Sequence, residues 1–247
     1  MALTVAPGPN DHTVRSFDAE LERLSNTVVR TGGVVEAQLA GAAQALIRRD
    51  SVLAAEVAAR DVDVDVLEQD IQDHAIRLLA LRQPVAEDLR QIVGALRIAG
   101  DLERVGDYAA NVAKRSMVVN QSPPVRVVAA LPRMLGLAQE IVKEVLDAYV
   151  ERDVDRAVAV WHRDEDLDAL HTSLFRELVS YMSEDPRNIT ACSHLMFIAK
   201  NIERIGDHAT NIAEMVHYLV LGRPLRETRP RGEDFLPDPG SLPDPQV

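Results

Sequence analysis

One cysteine, Cys192, stands in 247 residues. The chain therefore forms no internal disulfide and has no cysteine cluster for a zinc-finger-like site, and a reducing compartment is expected. Aromatic residues make up only 4%, while Ala, Val, Leu, Asp, Glu and Arg dominate, a composition suited to long packed helices. Basic side chains are outnumbered 27 to 39, for a net charge of -12. Such a surface repels phosphate backbones, so nucleic-acid binding is excluded as a main activity, and multivalent cations or basic protein surfaces are the natural partners. No stretch approaches the ~20 apolar residues that span a bilayer, and the first thirty residues lack a basic region followed by an apolar run. The expectation is a soluble, cytoplasmic protein that meets a membrane only through its partners. Nucleophile elbow, phosphate-cradling glycine loop and dinucleotide fingerprint are all missing, so no common enzyme signature is in place.

What is present is a repeat. Residues 102–113 read LERVGDYAANVA and residues 202–213 read IERIGDHATNIA. The repetition extends further: Arg49-Asp50 returns as Arg152-Asp153, Arg60-Asp61 as Arg163-Asp164, Asp65 and Leu67 as Asp168 and Leu170, and Pro84 as Pro186. The fold class expected is all-α, two tandem three-helix bundles related by internal pseudo-symmetry. Residues 1–12, with Pro7, Gly8 and Pro9, read as a flexible leader, and 13–120 as the first repeat. Residues 125–222 read as the second repeat, and 223–247, with six prolines in the last 24 residues, as a disordered tail.

Within the first repeat, Phe17, Leu21, Leu24, Val28, Val35, Leu39, Leu46 and Ile47 mark a helical stripe, with Gly32 and Gly33 as a weak point. That helix is expected to end at Arg49, where Asp50 or Ser51 caps the next one. The second helix covers about 52–81, and the third runs from Pro84 to about Val119. In the second repeat the helices are expected near 125–152, 154–183 and 187–221.

On a wheel turning about 100° per residue, Glu103, Asp107 and Asn111 form one ladder, and Glu203, Asp207 and Asn211 repeat it. Ile98, Val105 and Val112 make an apolar stripe on nearly the opposite side, and Ala99, Gly106 and Ala113 lie beside the ladder. A helix apolar on two sides is packed between neighbours, which brings its acidic edge close to other protein surface. Glycine inside a helix costs ~1 kcal/mol relative to alanine, and a close helix approach explains Gly106 and Gly206. Carboxylates one turn apart repel, and a bound cation reverses that sign. Oxygen ligands favour hard ions such as magnesium, calcium, manganese or iron. Asp61, Asp65, Asp164 and Asp168, one turn apart on the preceding helices, are candidate facing ligands or simply N-terminal helix charges. The plainer reading of the ladder is a solvated acidic face with Arg104 and Arg204 paired to Asp107 and Asp207. Glu214 and His217 form a single Glu-x-x-His, the element that di-iron bundles use in pairs. It leaves open a carboxylate-bridged metal-binding enzyme or a metal store.

These residues carry a resemblance. RQPVAEDLR at 82–90, LERVGD, and IERIGDHATNIAEMVHY with Gly222 closing it make the chain resemble the PhoU family, over about residues 13–225. The resemblance implies a non-enzymatic, cytoplasmic, usually homodimeric regulator. Such a protein holds down phosphate uptake and the phosphate-starvation response by contacting the phosphate ABC transporter with its ATPase subunit, and a sensor histidine kinase. The family's acidic motif falls on Glu103 and Asp107 and on Glu203 and Asp207, and implies multinuclear iron or zinc. Manganese or magnesium fits the same donors. At the family's Asp, Asn, Glu pattern of the second helix this chain has Asp61, Asp65 and Glu68, then Asp164, Asp168 and His171. Asp in place of Asn adds charge, which bears on metal preference.

Overall fold

In the computed structural model of this chain the described residues are 9–124 and 130–225, with side chains from 17 onward. Residues 1–8 of the expected leader and 226–247 of the expected tail lie outside them, as do residues 125–129, where the first helix of the second repeat is expected to begin. The elements are α1 (Pro9–Arg48), α2 (Ser51–Ala59), α3 (Asp61–Arg82), α4 (Ala86–Val119), α5 (Ala130–Glu151), α6 (Val154–Glu184), a 3-10 turn (Pro186–Asn188) and α7 (Ile189–Leu221). Among the described residues there is no strand. None of these helices is long and apolar enough to cross a membrane.

The three-plus-three plan stands, with two adjustments. First, α1 begins at Pro9, inside the stretch expected as leader, because proline is at home in the first turn of a helix. Second, the second helix of the first repeat is divided at Arg60. There the Arg60 N–H is shared between the carbonyls of Glu56 (3.2 Å) and Val57 (3.3 Å), and ψ flattens to -3°. Its counterpart α6 runs unbroken from Val154 to Glu184.

The turn between first and second helices is built the same way twice. Arg49 (φ 54°) and Arg152 (φ 53°) sit in the left-handed region. Each turn carries the paired backbone bonds of a Schellman motif: Asp50 N to Ala45 O (2.9 Å) with Arg49 N to Leu46 O (3.3 Å), and Asp153 N to Ala148 O (3.0 Å) with Arg152 N to Tyr149 O (3.4 Å). The following aspartate caps the next helix, Asp50 accepting from Val52 and Leu53 and Asp153 from Arg156, each at 3.0 Å. The repeated Arg-Asp pair is thus a repeated helix stop and start. At the far end of α7, Gly222 (φ 66°) closes the helix.

A single apolar core runs through both repeats. Helices α4 and α7 pack on each other at its centre, α1 to α3 cover α4, α5 and α6 cover α7, and α1 also meets α5. On α1 the expected stripe is buried except that Phe17 packs partly and Ile47 faces outward, about 120° round from Val35. Gly32 is a packing site rather than a weak point: a Cβ there would lie 2.7 Å from Leu146 of α5, and α1 continues through it unbroken. The two-sided burial expected for the motif helices is present. Ile98, Ala99, Leu102, Val105, Ala109 and Val112 are buried on α4, and Ile198, Ala199, Ile202, Ile205, Ala209 and Ile212 on α7.

Candidate functional site

Burial of the apolar positions on α4 turns Glu103 and Asp107 towards α3. The two carboxyls are held above the usual carboxylate range. For Glu103 the cause is burial first, then the charge of Asp107, with Asp65 and Glu68 adding to it. For Asp107 it is burial, then Asp61, with Asp65 adding. The structure therefore gathers Glu103, Asp107, Asp61, Asp65 and Glu68 into one acidic face between α3 and α4. Arg104 offsets part of the repulsion, 3.5 Å from Glu103 and 3.4 Å from Asp107.

The second face lies between α6 and α7 and is drier. Burial raises the Glu203 carboxyl, Asp207 and Asp168 add to the rise, and Lys200 counters it through a 2.7 Å contact. Asp164 is only 2% exposed. Gly206 explains how it fits: a Cβ there would lie 2.5 Å from Asp164 Oδ1 and 2.6 Å from Leu167. In the first face a Cβ on Gly106 would meet Gln38 Oε1 at 3.1 Å, a looser approach. His171, standing where the first repeat has Glu68, is kept towards its neutral form by burial and by Lys200, against the opposing pull of Asp168.

Asn211 goes elsewhere. It donates to Asp101 Oδ1 of α4 (3.1 Å), and His208 Nδ1 lies 2.8 Å from the same oxygen. Both belong to the seam between the repeats, where the His208 and Tyr108 rings face each other at 5.7 Å. Arg204 also turns to this seam, its guanidinium 5.6 Å from the Tyr108 ring centre, whereas the Arg104–Asp107 pair forms as the plainer reading expects. Asn111 is half-buried. It sits on the same edge of its helix, about 80° from Glu103. Glu214 accepts from the Trp161 indole (3.0 Å) and His217 contacts the Arg223 carbonyl (3.0 Å), so the lone Glu-x-x-His is tied into local structure.

Sequence reasoning passed over Gln38. Its Nε2 donates to Asp61 Oδ1 at 3.1 Å from a buried position on α1. The signal was available: a glutamine interrupts the apolar stripe between Val35 and Leu39. The second repeat has buried Ile141 at the equivalent place, and Asp164 packs against Gly206 instead.

The donor chemistry of both faces suits a hard cation. The candidate donor atoms are oxygens apart from those of His171, the carboxylates repel one another, and Glu203 Oε2 is buried with no hydrogen-bond partner. In the present side-chain arrangement, among the described residues, no three His, Cys, Asp or Glu side chains converge tightly enough to hold one ion. Arg104 and Lys200 supply the positive charge.

Comparison with known proteins matches both repeats to one family. The PhoU domain family matches residues 28–116 and 131–216, that is, both repeats. The chain is 48% identical over 222 residues to the phosphate-specific transport system accessory protein PhoU homolog of Caulobacter vibrioides, covering 90% of this chain and 96% of that one. The homolog of the same description from Rhizobium meliloti is 47% identical over 234 residues, covering 94% and 98%. The crystal structure of PhoU from Pseudomonas aeruginosa superposes with a TM-score of 0.82 at 40% identity, over 84% of this chain and all of that one. The phosphate transport system regulatory protein PhoU from Streptococcus pneumoniae gives 0.80 at 26% identity, over 85% of this chain and all of that one.

Proposed function

Because the chain belongs to the PhoU family, we propose that it is an accessory regulator of phosphate transport. In this reading it is not an enzyme. It acts in the cytoplasm, as a homodimer, by contacting the phosphate ABC transporter with its ATPase subunit, and a sensor histidine kinase, and it holds down uptake and the phosphate-starvation response when phosphate is plentiful. The observation that carries the reading is the match across both repeats, with each copy of the acidic motif intact. The net charge of -12 disfavours direct capture of phosphate anions unless a bound cation supplies the positive charge.

The two acidic faces are read as cation sites of this regulator, the first using Glu103, Asp107, Asp61 and Asp65 and the second Glu203, Asp207, Asp164 and Asp168. Iron, zinc, manganese or magnesium bound there would relieve the carboxylate repulsion and tie α3 to α4 and α6 to α7. Asn111 and Asn211 lie at the margin of these faces.

Deleting the gene should raise phosphate-responsive transcription and uptake in phosphate-replete cells, and affinity capture from those cells should bring down the transporter ATPase or the sensor kinase. Unchanged transcription and uptake after deletion would rule the reading out. For the metal, elemental analysis of protein purified without chelator should find a stoichiometric ion that is lost from the first face on Glu103→Gln with Asp107→Asn. Equal metal content in that variant would remove Glu103 and Asp107 from the site.

A further inference from the structure

Helix α3 fills its share of the core with one row, Val64, Leu67, Ile71, Ala75 and Leu78. It carries a second apolar row that the described residues leave largely uncovered: Val62, Val66 and Ile76 are 56%, 63% and 60% exposed. On the helical wheel these fall within about 80° of one another, and they span about 21 Å of the outward face. Valine and isoleucine are mediocre helix formers, so neither helix propensity nor the core explains them. Asp63 and Asp70 line one margin of the row, and Asp61, Asp65 and Glu68 line the other. Gln69 and Asp73 lie within the row, and Arg77, directly after Ile76, stands on the Asp63–Asp70 margin as a basic side chain among the acidic ones.

The duplication supplies an internal control. In the register that carries Asp61 to Asp164, the row Val62, Val66 and Ile76 becomes Glu165, Ala169 and Val179. Asp61 and Asp65 keep their acidic counterparts in the second repeat, whereas Val62 gives way to Glu165 and Val66 shrinks to Ala169, so the large aliphatic pair at the start of the row belongs to the first repeat only.

We infer that the outward face of α3 is the docking surface for a protein partner presenting an amphipathic helix, aliphatic along its centre and edged with lysine or arginine. Apolar burial along the row supplies affinity, and Asp63, Asp70 and Asp73, which stand outside the cation site, supply orientation and select against other partners. A second copy of the same face would bring twelve carboxylates together, and an anionic membrane would be repelled. The inference rests on the reading that this chain works through protein contacts and is silent on phosphate.

The test titrates the full chain by calorimetry with an 18-residue leucine–lysine peptide whose leucines form one helical stripe, and with a scrambled isomer of the same composition. The striped peptide should bind at least about tenfold more tightly than its isomer. Val62→Glu with Val66→Ala, the residues of the second repeat, should erase that preference while circular dichroism and the melting midpoint stay unchanged, since both side chains are exposed. The variant is more acidic than the parent, so charge alone would strengthen its binding, and loss can come only from the apolar row. Equal binding of both peptides, or a preference that survives in the variant, would overturn the inference. So would concentration-dependent self-association that the variant abolishes. A flat titration leaves the phosphate reading standing, and a silent gene deletion leaves the titration standing.

Discussion

At Gly206 the fate of the second acidic face rests on one missing methyl group. Alanine there would set its Cβ 2.5 Å from Asp164 Oδ1 and 2.6 Å from Leu167, which the packed core can absorb only by moving α6 from α7. Gly206→Ala should therefore destabilise the fold by about 2 kcal/mol in urea unfolding, despite the ~1 kcal/mol that alanine gains in helix propensity. Gly106→Ala meets the far end of Gln38 at 3.1 Å, and the same measurement should find it close to neutral. The carboxylates give a second residue-scale expectation. Glu103, Asp107 and Glu203 are all raised in the folded state, so the folded chain holds their protons more tightly than the unfolded chain does. Their contribution to stability is full below the ordinary carboxylate range and is lost as pH rises through the raised values. Glu203→Gln should flatten the metal-free stability profile in that window and leave the protein more stable than the parent near neutral pH. A profile as steep as the parent's would show that Glu203 is not a source of the strain.

The repeated helix stop separates two arginines that look equivalent in sequence. Left-handed backbone costs a non-glycine residue about 1 kcal/mol. Arg49 offsets that cost by donating to the carbonyls of Val119, Asn120 and Ser122 at 3.2, 3.1 and 2.5 Å, capping the end of α4. Arg152 has a 3.5 Å contact with exposed Glu87. Thermal and urea unfolding should accordingly find Arg152→Gly more stable than the parent by about 0.5–1 kcal/mol. Arg49→Gly should be less stable by a similar amount, because charge-assisted hydrogen bonds to three carbonyls are lost. The existence and order of the helices were legible from apolar period, cap chemistry narrowed the first cap to Asp50 or Ser51, of which Asp50 caps, and the Gly222 stop was legible from the family resemblance. The division at Arg60 was not, because α2 and α3 keep helical patterning straight through it and only the local hydrogen-bond register changes. The break lies next to Asp61, where the first acidic face begins.

For the molecule as a whole, one core shared by both repeats implies one cooperative unit rather than two independent domains. The sole tryptophan, Trp161, lies in the second repeat and Leu102 in the first, and both are buried. Leu102→Ala should cost about 3 kcal/mol. It should shift the tryptophan-fluorescence and circular-dichroism transitions together to lower urea; two separated transitions would show that the repeats unfold independently. The sequence by itself determined the all-helical class, the duplication, the two-sided motif helices and the residue types of both acidic faces. Each of these follows from periodicity along one helix or from identity between two stretches of sequence. Only the tertiary structure decided which helix each ladder faces, that Gln38 reaches Asp61 from α1, and that Asn211, His208 and Arg204 turn to the seam instead. It also decided that the second acidic face is drier than the first. Those outcomes depend on the distance and angle between helices far apart in the chain, and periodicity along one helix carries neither.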